Sequence, residues 1–154
     1  MEPAPDEIAW NITSDAGLGK DEIDQKKFWD HFTDMSDKKS TKAILVYFYW
    51  PEEDNDNEDI QNMIRRCKLM DKILEEEAIR RASVKFHCFK CSFKDMSEEL
   101  KKKYKLTVVP KVIFFDVKGK KVWQLTSTKA SADGVAGKME KIAAACQKML
   151  EKDK

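Results

Sequence analysis

Glycine, proline, cysteine and histidine are all scarce in this chain: five, four, four and two residues among 154. Each scarcity excludes something. With so little glycine there is no glycine-rich loop to cradle a phosphate, which argues against nucleotide chemistry of that kind. Two histidines with no nucleophile motif beside them build no Ser-His-Asp constellation. Four cysteines in a chain this long do not make a disulfide framework. No apolar run approaches the roughly 18 residues that a membrane span needs. Net charge is missing too: at +1 the chain has no global field that would favour nucleic acid or membrane. No internal repeat or low-complexity linker interrupts it. Met1 to Asp6 has none of the basic and apolar character of a signal peptide. A cytoplasmic protein and an exported one whose signal has been removed both fit, so the compartment stays open.

What is present is a well-patterned α/β chain. Hydrophobic residues make up 42% and charged residues 37%, the latter well above the usual quarter or so. The length favours one domain over residues 1–154, with flexible ends at 1–7 and 152–154. Ile8-Ala9-Trp10-Asn11-Ile12 alternates in part and predicts a short first strand, broken by Gly17 and Gly19. Ile23, Phe28, Trp29, Phe32 and Met35 then fall at near-helical spacing, an amphipathic helix followed by polar turn residues from Asp34 to Thr41. Ala43 to Trp50 is apolar on both faces, as a strand covered by helices must be. An acidic loop over 51–59 leads into a helix striped by Ile60, Met63, Ile64, Cys67, Met70 and Leu74. Val84 to Cys91 reads as a strand. Asp95-Met96-Ser97-Glu98 has the form of a capping box opening a short helix that ends near Tyr104. A strand from Lys111 to Asp116, a turn at Lys118-Gly119-Lys120 and a strand from Lys121 to Leu125 make a hairpin. Val135, Met139, Ile142, Cys146 and Met149 then share one face of a last helix.

The order β-α-β-α-β-α-β-β-α, with Pro110 starting the strand before the final hairpin, resembles the thioredoxin-like superfamily. Three segments carry the likeness: the aromatic-rich strand ending in Trp50, the run Cys67-Lys68-Leu69-Met70-Asp71, and Lys105-Leu106-Thr107-Val108-Val109-Pro110. They are similar to thioredoxin-related proteins with a Cys-x-x-Cys-Lys-x-Met-Asp/Glu type of site. The resemblance implies a central mixed β-sheet flanked by helices, with a cis-proline loop at Val109-Pro110 before the last hairpin. A cis bond is adopted by only about 5–6% of X-Pro bonds. It further implies an edge at Trp50, Val109 and Pro110 where an extended peptide or protein partner pairs with backbone. No cofactor is implied, and the oligomeric state is left open.

This chain departs from the pattern at the chemistry. In the family, an exposed first cysteine at a helix start attacks a disulfide and a second cysteine resolves the intermediate. Here the first position is Ile64, so Ile64-Arg65-Arg66-Cys67 keeps only the resolving cysteine. The chain also carries an acidic segment, with Glu52, Glu53, Asp54, Asp56, Glu58 and Asp59, between strand and helix. The leading expectation is therefore a thioredoxin-like protein without dithiol chemistry that acts as a binding module, with the acidic loop as part of its partner surface. The alternative is a monothiol oxidoreductase using Cys67, assisted by Arg65 and Arg66.

Other candidates weigh less. Cys67 lies on its helix's apolar stripe, and free cysteine is among the most buried residue types. Cys88-Phe89-Lys90-Cys91 has redox-motif spacing, but on a strand the two side chains face opposite ways, about 10 Å apart at Cα. That is beyond disulfide reach unless the strand turns at Lys90. Zinc at His87, Cys88 and Cys91 lacks a second paired motif. The run Asp54-Asn55-Asp56-Asn57-Glu58 partly mimics an EF-hand calcium loop. It has Asp59 where glycine is needed and Arg65 where a bidentate glutamate is needed. His31 and the Lys101-Lys102-Lys103 run read as ordinary surface.

Overall fold

The computed structural model describes residues 3–13, 42–96, 98–103, 105–118 and 120–152. The amphipathic helix expected around Ile23 to Met35, with His31 and the two glycines before it, lies outside the described residues. So do Ser97, Tyr104 and Gly119.

Among the described residues, five strands form one mixed sheet in the order β1-β3-β2-β4-β5. They are β1 (Trp10–Thr13), β2 (Ala43–Tyr49), β3 (Phe86–Ser92), β4 (Lys111–Phe115) and β5 (Lys121–Leu125). Strands β1 and β2 run parallel to β3, while β4 is antiparallel to both β2 and β5. All seven residues of β2 are buried. This central position explains its unbroken apolar run, because helices and neighbouring strands leave no wet face. Burying each large side chain there contributes roughly 1.5–3 kcal/mol before entropy is counted.

The helices are α1 (Glu58–Leu74), α2 (Glu77–Ser83), α3 (Glu98–Lys103) and α4 (Ala132–Lys152). The stripe expected on α1 is the one it buries: Ile64, Cys67, Met70 and Leu74, together with Ile73. On α4 the buried face is Val135, Ala136, Met139, Ile142 and Cys146, with Met149 half-buried against the core.

Several boundaries differ from the sequence reading, each for a local reason. β1 starts at Trp10 instead of Ile8, because the Trp10 N–H turns back onto the Ile8 carbonyl at 3.0 Å. Between Cys67's helix and β3 a second helix, α2, was not anticipated. Glu75, Glu76 and Glu77 in succession are unfavourable at a helix C-terminus and favourable at an N-terminus. The chain stops α1 at Leu74 and restarts at Glu77. α2 consumes Ser83, so β3 begins at Phe86 and not at Val84. The capping box is not formed as expected: Asp95 closes a 3-10 turn, Phe93–Asp95, and the helix starts at Glu98. At the hairpin the organising residue is Asp116. Its Oδ1 accepts from the backbone N–H of Lys118 at 2.8 Å and of Lys120 at 3.0 Å, and its own N–H donates to the Lys120 carbonyl. Such a side-chain bond to the backbone two residues on is the usual device by which aspartate stabilises a turn.

Candidate functional site

The C-terminal end of β2 delivers Tyr49 and Trp50 to the rim of the sheet, and the loop 51–57 climbs from there to α1. Asn57 caps that helix: its Oδ1 accepts from Ile60 N–H at 3.1 Å, while Glu58 and Asp59 lie in the first turn. Both features stabilise the start of the helix. Cys67 follows nine residues after Glu58, roughly two and a half turns in, where the terminal dipole has faded.

Cys67 is 3% exposed. The Trp50 N–H donates to Cys67 Sγ at 3.4 Å, which favours a thiolate. Burial outweighs that donor and pushes the thiol up to about 11, with Asp71 adding to the rise. Of the two arginines expected to assist, Arg66 exerts only the smallest of these influences. Arg65 instead donates to Asn62 Oδ1 at 3.0 Å. Ile64, at the position where a dithiol site would hold its first cysteine, is itself buried.

Beneath Cys67 lies a polar pair that the sequence did not single out. The Tyr47 hydroxyl donates to Asp71 Oδ1 at 2.8 Å and is 3.2 Å from the Cys67 carbonyl. Burial and the Asp71 charge drive the phenol far above its ordinary pKa. Across the strand pair, Lys90 on β3 holds its Nζ 4.5 Å from the Tyr49 ring centroid and 5.9 Å from that of Tyr47. A cleft of about 360 Å³ opens between these elements, lined by Tyr49, Trp50, Pro51, Ile64, Cys67 and Lys90 among others. A neighbouring cleft of about 540 Å³ shares Asp71 and Lys90 and extends to Trp10 and Glu7. One signal for this group was legible: Tyr47 and Tyr49 alternate onto one face of β2, and Asp71 sits one helical turn beyond Cys67.

The acidic loop is anchored, not splayed. Glu53 accepts from Trp50 Nε1 at 2.8 Å and pairs with Lys94 at 2.8 Å. Those partners, Lys94 first, hold its carboxyl below the ordinary range. Glu52 pairs with Lys68 at 2.7 Å. Trp50 packs on Phe93 with ring centroids 6.1 Å apart. Asp54, Asp56, Glu58 and Asp59 are exposed. Among the described residues no group of three or more histidine, cysteine or acidic side chains is arranged to hold a metal ion.

Trp50 and Cys67 thus meet in one site. The Val109-Pro110 bond is cis. Because Lys111 pairs with Phe48, Pro110 lies at the same end of the sheet as Tyr49 and Trp50. Neither Val109 nor Pro110 lines the Cys67 cleft. Val109 is fully buried, and Val108, at 49% exposed, presents the loop's accessible apolar side chain. Cys88 and Cys91 are separate: β3 continues through Ser92 with no turn at Lys90, and the four cysteines are buried and in no disulfide.

No protein-family model and no curated protein matches the chain. Solved structures do resemble it. DsbH oxidoreductase aligns at 20% identity over 92% of this chain and 88% of its own, with a TM-score of 0.55. A thioredoxin from Thermus thermophilus aligns at 16% identity over 77% and 85%, again at 0.55. A disulphide isomerase from Xylella fastidiosa aligns at 18% identity over 88% and 97%, at 0.52.

Proposed function

On a thioredoxin-like fold whose site holds one buried cysteine in place of a dithiol, we propose that this protein is a non-catalytic peptide- or protein-binding module. The burial of Cys67 carries the reading. With its thiol near 11, only about one molecule in ten thousand carries the thiolate at pH 7, and the thiolate is the attacking species. The recognition surface is the end of the sheet that carries Trp50 and the loop of Val109 and Pro110. Val108 supplies the exposed apolar contact, and Glu52, Asp54, Asp56, Glu58 and Asp59 supply a negative border with Glu53 as its anchor. Trp50, fixed by Glu53, offers a rigid aromatic anchor of the kind that dominates binding hot spots.

Hydrogen exchange in the presence of an unfolded polypeptide, reduced and carboxymethylated lactalbumin, tests this. Protection confined to Trp50–Asn57 and Lys105–Lys111 is the expected result. Protection absent from both segments contradicts it.

A second reading is favoured by one observation, the Trp50 N–H aimed at Cys67 Sγ. It makes Cys67 a monothiol that exchanges with a low-molecular-weight disulfide once the site opens. Incubation with glutathione disulfide separates the two: the binding module forms no mixed disulfide at neutral pH, whereas monothiol chemistry yields one at Cys67.

A further inference from the structure

A near-zero net charge conceals strong segregation. The first 60 residues hold 16 acidic and six basic side chains, whereas residues 101–154 hold 14 lysines and five acidic residues. The fold gathers part of that lysine excess on one side. Among the described residues β5 is an edge strand, paired only with β4, and both Lys121 and Val122 on it are exposed. Lys138, Lys141, Lys148 and Lys152 are spaced by three, seven and four residues along α4, which places them on one flank. All but Lys152 lie well within the helix, all four are exposed, and the row runs roughly 20 Å. Lys138 Nζ lies 5.9 Å from the Trp123 ring centroid, so this flank borders β5. The opposite flank carries Glu140, paired with Lys85. Nearby Lys111 is held below its ordinary pKa by burial and by the charge of Lys121.

We propose that β5 and the lysine flank of α4 form a docking surface for an acidic, extended polypeptide segment, which adds to the sheet edge at β5 and lays its carboxylates along the lysines. Charge complementarity selects the occupant. Lysines on a sheet edge oppose pairing with a neutral or basic strand and leave an acidic one as the compatible addition. Backbone pairing supplies affinity while the side chains supply choice. A nucleic acid fits less well: no arginine follows Arg81 in the sequence, so the bidentate phosphate fork is missing. This surface is independent of the Trp50 rim.

Fluorescence anisotropy tests it with a fluorescein-labelled peptide of alternating Glu and Val, twelve residues long, against the full chain. Saturable binding that weakens when salt rises from about 50 to about 300 mM is expected. The combined Lys138→Glu, Lys141→Glu and Lys148→Glu variant, checked for folding by circular dichroism, should bind roughly tenfold or more weakly. If that variant does not fold, Lys121→Glu alone should weaken binding about threefold. No binding by the native chain, unchanged affinity in the folded variant, or equal affinity for a labelled single-stranded DNA of twelve nucleotides overturns the proposal.

Discussion

Replacing Tyr47 by phenylalanine removes one oxygen from the centre of the candidate site and leaves the ring's packing intact. Tyr47 is 1% exposed, its ring lies 5.6 Å from that of Tyr49 and 6.0 Å from that of Trp10, and its hydroxyl donates to the Asp71 carboxylate at 2.8 Å. A hydrogen bond to a charged group is worth about 1.5–3 kcal/mol, and a carboxylate left without its donor bears a desolvation penalty of similar size. Asp71 is half-buried and lines both clefts, so water replaces part of the lost bond. The expected loss for Tyr47→Phe is therefore about 2 kcal/mol. For a chain of this length that lowers the thermal midpoint by about 4–8 °C. Urea unfolding followed by circular dichroism measures it, with the slope against denaturant unchanged if the native packing is kept. Because the bond joins β2 to α1, Asp71→Asn in the Tyr47→Phe background should cost much less than in the native chain, with a coupling of about 1 kcal/mol. A Tyr47→Phe loss below about 0.5 kcal/mol, or additivity of the two substitutions, would refute the view that this bond fastens the cysteine helix to the sheet.

Alkaline pH should destabilise the fold through its thiols. The folded values of Cys67 and Cys88 are raised to about 11 and about 12, above the unfolded value near 8.5. The native state therefore holds protons that the unfolded chain has released, and stability falls as pH rises from the unfolded value towards the folded ones. Cys67→Ala should flatten part of that decline in denaturant titrations between pH 8 and 10; an identical slope would remove Cys67 from the account. Asn57→Ala should cost about 1 kcal/mol by loss of the cap on α1, read by the same unfolding experiment. Glu53→Ala should release the Trp50 indole and the Lys94 ion pair together, which shifts the tryptophan emission. An unshifted spectrum would mean that Glu53 does not hold Trp50.

Much of the architecture was legible because burial leaves simple patterns. β2 is apolar at every position since both its faces are covered, and α1 and α4 show their stripes because each buries one side. The thioredoxin-like order of elements followed from those patterns together with Pro110. The misses are local. The second helix was missed because the stripe was followed only to Leu74, although the three acidic residues Glu75, Glu76 and Glu77 break one helix and start another. Asp95 was taken for a cap because the spacing to Glu98 fits, yet the chain uses Asp95 to close a tighter turn. The site was legible in part. Trp50 and Cys67 were read from the sequence and meet in space. Lys90 and the Tyr47–Asp71 pair were not, because periodicity places each on a face of its own element while their contacts join a helix and two strands. Val109 and Pro110 were read from the motif as a backbone edge, and their loop lies at the same end of the sheet as Trp50, with the Val109 side chain buried and Val108 exposed beside it.

The central claim is that Cys67 is a packing residue and not a nucleophile. Alkylation of each thiol in the native protein across pH 5–9, read by mass spectrometry, tests it most directly. Cys67 is expected to stay unlabelled across the range and to react once denaturant is added. Rapid labelling of the native protein, with a midpoint well below the free-thiol value near 8.5, would contradict it.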